Sequence, residues 1–154
     1  MAQLEFHTGI ADVMGYSCRL LRKAYRRGTR VVVCGEPERL GRLDVQLWTF
    51  EQLEFIPHLR LRVGDRPGAA MQRTPIWLVD PRVSWPQAEV AINLGDEPLD
   101  EPQRVARVLE LVGDEPEARQ AGRARWRHYL GLGLQPVVAN AAAGSGVRST
   151  EDSV

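Results

Sequence analysis

One segment near the end of the chain carries side chains suited to binding an anion. In EARQAGRARWRHYL (117–130), a helix with 100° per residue places Arg119, Arg123, Trp126 and Leu130 on one face. Arginine guanidinium groups bind carboxylates through paired hydrogen bonds, and an aromatic ring forms a wall for an apolar anchor. This spacing indicates a site for an acidic ligand with an apolar end. A solvated basic face with one half-buried tryptophan is the alternative.

The stretch RLDVQLWTFEQLEFIPH (42–58) is unusually rich in large apolar side chains. Trp48, Phe50, Phe55 and Ile56 occur within nine residues, where a polar surface connection is the common pattern. Two explanations are open. Either the segment folds back on its own core, or another protein covers it.

Known catalytic and cofactor-binding patterns do not occur in the sequence. The three histidines share no metal-ligand spacing, and there is neither a G-x-S-x-G elbow nor a phosphate-binding P-loop. After the second predicted strand, CGEPER places Glu36 and Glu38 where a phosphate would sit, and their charges repel an anion. We therefore expect no catalytic activity, no cofactor and no metal site.

Alternation of strands and helices indicates the elements that must position these side chains. Strands are predicted at 3–8, 30–34, 75–80 and 89–94, and helices from the capping residue Asp12 to Arg27 and at about 37–47, 102–112 and 116–130. This order predicts a single-domain α/β fold, a mainly parallel sheet with helices on both faces, Rossmann-like but without nucleotide-binding motifs. In the last helix, Ala118, Gly122 and Tyr129 lie on a flank suited to packing.

The predicted domain ends at about residue 135. The helix predicted over 102–112 has Val105, Val108, Leu109 and Val112 on one face. The segment 63–74 is rich in glycine and alanine, which predicts a mobile loop. Beyond Pro136, small and polar residues predict a disordered tail over 136–154, because such a segment buries too little apolar surface to offset the entropy cost of ordering.

The composition is that of an ordinary globular domain. The chain has 154 residues, of which 44% are hydrophobic and 26% are charged. Its formal net charge is zero, so no overall field attracts it to nucleic acid or to an anionic membrane. Neither a signal peptide nor an apolar run of membrane-spanning length is present. We expect a cytoplasmic protein.

Roughly residues 3–134 resemble the chi subunit family of bacterial DNA polymerase III. The resemblance is carried by EFHT, GTRVVVC, RLDVQLW…EFIPH and RARWRHYLGLG, of which the third is the most specific. It implies a non-enzymatic adaptor of the clamp-loader assembly. The family binds the acidic C-terminal tail of single-stranded DNA-binding protein, which ends in Asp residues, Ile, Pro and Phe, and on a separate surface it binds the psi subunit.

The resemblance also assigns residues to the two surfaces. The positions implied for binding the tail are Val112, Arg119, Arg123 and Trp126, the last replacing a residue that is usually tyrosine. The positions implied for binding psi are Trp48, Phe55, Ile56 and Pro57. Two alternatives of other classes stay open on the same fold: a small nucleotide-binding enzyme and a direct binder of single-stranded DNA.

Overall fold

Seven parallel strands form one sheet in the computed structural model, which describes residues 2–50, 55–85 and 87–140. The strands are β1 Gln3–Ile10, β2 Val31–Cys34, β3 His58–Leu61, β4 Ile76–Val79, β5 Val90–Asn93, β6 Arg107–Gly113 and β7 Val137–Asn140. The helices are α1 Val13–Arg27, α2 Pro37–Thr49 and α3 Pro116–Gly131. The strand order is β3-β4-β2-β5-β6-β1-β7, which confirms the predicted parallel α/β fold.

Each face of the sheet has its own apolar core. Alternate residues of a strand point to opposite faces, so Val31 and Val33 pack with α1 and α2 while Val32 joins the core under α3. The central strands are buried on both faces, which explains their nearly continuous valine and isoleucine sequences. Helices therefore cover both faces, as the sequence predicted.

The ends of α1 follow the predicted signals. The Asp12 carboxylate accepts a hydrogen bond from the backbone N–H of Gly15 at 3.0 Å, so it caps the first turn. Gly28 ends the helix in the left-handed conformation with φ of 72°, and its N–H bonds back to the last turn. The local sequence signals therefore predicted both ends of α1.

The helix predicted over 102–112 is wrong. Residues 102–104 form a short 3₁₀ turn, and Arg107–Gly113 form strand β6, which pairs with both β5 and β1. Five consecutive residues of β6 are buried, because both faces of this central strand are covered. A short run with both faces buried has no two-residue alternation, so its valines and leucines also fit one face of a helix.

Two strands at the edges of the sheet were not predicted. β3 begins at His58, at the end of the aromatic stretch, and β7 lies beyond Pro136, inside the predicted tail. The domain therefore extends to Asn140, and the predicted boundary at 135 is too early. Residues 141–154 lie outside the described residues, so the disorder expected for them stays a prediction.

We predict that β7 contributes measurably to stability. A chain ending at Pro136 should melt at least about 4 °C below a chain ending at Asn140, which corresponds to roughly 1 kcal/mol for a domain of this size. The reason is that the four residue pairs joining β7 to β1 are lost and β1 becomes an open edge. Differential scanning calorimetry of the two chains measures this difference, and equal melting temperatures would contradict the prediction.

Candidate functional site

A cavity of about 490 Å³ opens at one edge of the sheet, between the strand ends and α3. Its lining residues are Phe6, Thr8, Gly9, Val112, Asp114, Arg119, Gly122, Arg123, Trp126 and Val138. Small-molecule and peptide-anchor pockets commonly have volumes of about 300–1,000 Å³. The structure thus brings together around one cavity all four residues that the sequence assigned to a tail-binding site.

The floor of this cavity is apolar. Val112 of β6 is buried, and the Phe6 ring of β1 meets the Trp126 ring of α3 edge to face, with centroids 5.1 Å apart. Trp126 is only partly buried, so part of the indole remains in the cavity. An apolar group entering here would contact the aromatic surface of Phe6 and Trp126 and the aliphatic surface of Val112.

Gly122 allows α3 to approach the sheet closely at this point. A Cβ atom on Gly122 would lie 2.9 Å from Cγ2 of Val112, which is too close for two carbon atoms. Any larger residue would push Val112 or the helix away and change the shape of the floor. The prediction that Gly122 belongs to the packing flank of the helix is confirmed, together with Tyr129, which is fully buried.

The rim of the cavity carries two arginines. Arg119 and Arg123 are exposed, one helical turn apart. Arg119 donates from Nε to the backbone carbonyl of Asp114 at 2.9 Å, while within the described part of the chain Arg123 has neither a hydrogen bond nor an ion pair. Asp114 also lines the cavity, and its negative charge offsets part of the positive charge of the arginines.

A local irregularity of β1 shapes the opposite wall. The register between β1 and β6 shifts between His7 and Ile10, and Gly9 adopts a φ of 70°. Only glycine takes this conformation without steric cost. The shift turns the end of β1 so that Thr8 and Gly9 line the cavity, a contribution the sequence analysis did not identify.

A buried polar cluster behind the cavity holds α3 in place. Glu110 of β6 accepts hydrogen bonds from Nε of Arg125 at 2.7 Å, from the Tyr129 hydroxyl at 2.5 Å and from the Asn93 amide at 3.0 Å. The Tyr129 oxygen accepts in turn from the backbone N–H of Leu99 at 2.9 Å. These contacts join β5, β6, α3 and the loop after β5.

Burial raises the pKa of the Glu110 carboxyl, and the Arg125 guanidinium and the donors around it oppose that shift. Burial also raises the pKa of the Tyr129 hydroxyl, with the neighbouring Glu110 adding to the effect. Glu110 and Arg125 were not among the residues predicted from the sequence. The signal available was a glutamate inside a run of valine and leucine, which in a buried strand requires a partner.

A second crevice, of about 1230 Å³, lies at the carboxyl ends of β2, β4 and β5. This is where open α/β sheets usually bind nucleotides. Acidic side chains are prominent in its lining, with Glu36, Asp80, Asp96 and Glu97 among them. Glu36 lies here as the sequence predicted, and it accepts from the backbone N–H of Asp96 at 3.2 Å. This crevice is larger than the cavity lined by Val112 and Trp126. Among the described residues, three arginines also line it, but six carboxylates outnumber them and disfavour a phosphate group.

An exposed aromatic patch lies near the opposite edge of the sheet. The Trp48 and Phe55 rings pack together with centroids 5.0 Å apart, and the two side chains are 58% and 56% exposed. Val45, one helical turn before Trp48 and 64% exposed, extends the patch, although the sequence analysis did not assign it. We call Val45, Trp48 and Phe55 the aromatic patch.

Ile56 corrects part of the sequence assignment. Its side chain is fully buried in the core beneath α1 and α2, so it cannot contact a partner, whereas Pro57 next to it is half-buried. The next residue, His58, is also buried, with Nε2 2.8 Å from Oδ1 of Asp44 and Nδ1 2.7 Å from the carbonyl oxygen of Ile56. These contacts hold the end of the stretch against α2, and Trp48 and Phe55 face outward.

Comparison with known proteins identifies the family. The family model described as "DNA polymerase III chi subunit, HolC" matches residues 1–137. The chain belongs to the DNA polymerase III chi subunit family. It is similar to the chi subunit of Pseudomonas aeruginosa, with 32% identity over 124 residues covering 73% of this chain and 75% of that protein. With the Escherichia coli K12 chi subunit it shares 27% identity over 133 residues, covering 82% and 84%.

Solved structures of other proteins share the fold. The C-terminal domain of the DEAD-box protein Dbp5 superimposes with a TM-score of 0.64 at 8% identity, covering 100% of this chain and 98% of that domain. The C-terminal part of the Fun30 ATPase domain gives 0.53 at 13% identity, covering 70% and 43%. At such identities the likeness concerns the fold alone. The family membership gives the chain a role in the DNA polymerase III holoenzyme.

Across the described residues, none of the helices combines the length and the apolar sequence needed to cross a membrane. In the same part of the chain, no three His, Cys, Asp or Glu side chains lie together in a way that would hold a metal ion.

We predict that the Glu110–Arg125 pair is a structural requirement of the site. Arg125→Leu should lower the free energy of unfolding by about 3–5 kcal/mol, because it leaves the buried Glu110 carboxylate without its cationic partner. The double variant Glu110→Leu/Arg125→Leu should recover part of this loss, since no uncompensated charge remains. Urea denaturation of the wild type, both single variants and the double variant measures the coupling, and strictly additive effects would contradict the prediction.

Proposed function

We propose that this chain is a non-enzymatic adaptor of the DNA polymerase III clamp-loader assembly, acting in the cytoplasm. It binds the acidic C-terminal tail of single-stranded DNA-binding protein in the cavity beside α3. Through the aromatic patch it binds a second component of the clamp loader, the psi subunit where one is present. A contact that is weak alone becomes effective because both partners are held at the same replication fork.

The observation that carries the tail-binding proposal is the convergence of four side chains. Arg119 and Arg123 lie on the rim above a floor that contains Val112 and Trp126. A peptide ending in Asp residues, Ile, Pro and Phe has the matching order of groups. Its carboxylates pair with the arginines, and its terminal ring packs on the indole of Trp126 and the ring of Phe6.

The exposure of the aromatic patch supports the proposed contact with a second clamp-loader component. Trp48 and Phe55 are both more than half exposed, and Trp and Tyr are among the residue types that contribute most to interfaces. A contiguous aromatic surface of this kind is uncommon on a free protein surface. The patch is separated from the tail-binding cavity by the width of the sheet, so the two partners do not compete for space.

We predict that the acidic peptide binds through the rim and floor of the cavity. Arg123→Glu should weaken binding of a synthetic peptide ending in Asp-Asp-Ile-Pro-Phe by about tenfold or more, because attraction for several carboxylates becomes repulsion. Trp126→Ala should also weaken it strongly by removing the wall for the terminal Phe. Isothermal titration calorimetry at two salt concentrations measures both effects, and wild-type affinity should fall but persist at high salt.

Arg127→Glu provides the matched control. Arg127 is exposed on the same helix but does not line the cavity, so the variant makes the same charge change with little expected effect on binding. If a folded Arg123→Glu variant bound the peptide like the wild type, the site would be wrong. Tight binding of naked single-stranded DNA, or of ATP or NAD, by the wild type would favour the other two functions considered for this fold.

We predict different outcomes for two neighbouring residues of the aromatic stretch. Phe55→Ala should weaken binding to psi or the clamp loader by about 30-fold, or roughly 2 kcal/mol, with little change in melting temperature. Ile56→Ala should cost about 2–5 kcal/mol of stability, because Ile56 is fully buried. Surface plasmon resonance and thermal melts on each variant separate the two roles.

Val63→Ala is the control for the aromatic patch. Val63 is 77% exposed, but it follows the opposite end of β3 from Phe55. It should alter neither partner binding nor stability. A loss of stability for Phe55→Ala as large as that for Ile56→Ala would show that Phe55 belongs to the core.

A further inference from the structure

The last strand of the sheet ends beside the tail-binding cavity. Val138 of β7 lines the cavity, and Asn140 pairs in register with Thr8, which also lines it. The described part of the chain therefore ends at Asn140, next to the wall of the cavity.

The segment 141–154 contains the kinds of side chain that the cavity is suited to bind. It reads AAAGSGVRSTEDSV, with Glu151 and Asp152 adjacent and Val154 two positions further on. Two carboxylates followed closely by an apolar side chain match two exposed arginines above an apolar floor. Arg148 is the single basic residue of the segment, and Glu151 and Asp152 outnumber it. The net charge of the segment is therefore negative.

We propose that the segment 141–154 occupies the cavity in cis and competes with the acidic peptide. Glu151 and Asp152 pair with Arg119 and Arg123, and Val154 enters the floor beside Trp126. This inference rests on the proposed function, since it concerns regulation of the same site. It makes the chain its own weak competitor, displaced when single-stranded DNA-binding protein presents several tails together.

The length of the segment suits this role. Ten residues, 141–150, separate Asn140 from Glu151, and a flexible linker of that length has a root-mean-square span of about 16–19 Å. Gly144 and Gly146 accept the backbone conformations that a reversal of direction requires. The effective concentration of a ligand on so short a linker is in the millimolar range. Suppose that the dissociation constant of the segment for the cavity equals this effective concentration or is ten times lower. Competition by the segment would then weaken the binding of an external peptide by about two- to tenfold.

Peptide binding by three forms of the protein tests the proposal. The full chain, the chain ending at Asn140, and the full chain with Glu151→Gln and Asp152→Asn are titrated with a labelled peptide ending in Asp-Asp-Ile-Pro-Phe, using fluorescence anisotropy at low salt. The shortened and the neutralised forms should bind about two- to tenfold more tightly than the full chain. The difference should shrink as salt is raised. Ser149→Ala, an uncharged change in the same segment, should bind like the full chain.

A second measurement does not depend on the external peptide. Amide and indole NMR signals of Arg119, Arg123 and Trp126 should differ between the full chain and the chain ending at Asn140. Adding a synthetic 141–154 peptide to the shortened chain should restore the full-chain positions, and Arg123→Glu should prevent this.

The two proposals fail separately. If all forms bind the Phe-ended peptide equally and the NMR signals coincide, the cis proposal is overturned and the proposed function stands. If the NMR differences appear but no form binds the Phe-ended peptide, the cis proposal stands and the proposed function falls.

Discussion

Attachment of α3 to the sheet through a buried carboxylate is the constraint on which the recognition surface depends. Glu110 lies in the middle of β6 with no solvent contact, and Arg125 and Tyr129 of α3 both donate to it. These two residues are one helical turn apart, so they fix the rotation of the helix about its axis. That rotation places Gly122 against Val112 and leaves Arg119 and Arg123 at the surface. A buried ion pair contributes little net stability but defines one arrangement of the parts it joins.

The order of the strands separates the two surfaces that the proposed adaptor uses. β7 and β1 bound the cavity at one edge of the sheet, while β3, at the other edge, follows the aromatic patch. Strands in a sheet are about 4.8 Å apart, so the six steps from β3 to β7 span roughly 29 Å. Two partners at that separation are linked by a rigid sheet, and each is able to bind without displacing the other.

Elements with strong local signals were predictable from the sequence, and those defined by burial or pairing were not. The capping residue Asp12 and Gly28 fix the bounds of α1, and the spacing of arginines on α3 identifies its exposed face. The sequence of β6 predicts a helix because burial of the strand on both faces removes the alternation that marks a strand. β7 carries exposed valines and owes its place to pairing with β1, which is distant in sequence. Phe55 and Ile56 are adjacent and similarly hydrophobic. Which of the two side chains points into the core depends on the path of the backbone, and the sequence pattern does not reveal that path.

The pairing of β1 has a consequence for the order in which the protein assembles during synthesis. Gln3 lies opposite Arg107, and Glu5 lies opposite both Leu109 and Val137. Strand β1 therefore waits for roughly 100 further residues to be synthesised before either neighbour exists, a delay of about 5–20 s at common rates of translation. Strands β2, β3 and β4 with α2 are complete by Val79 and are able to associate earlier. The cavity lined by Val112 and Trp126, which is built from β1, β6, β7 and α3, is thus the last part of the domain to form, and nascent chains acquire the aromatic patch first.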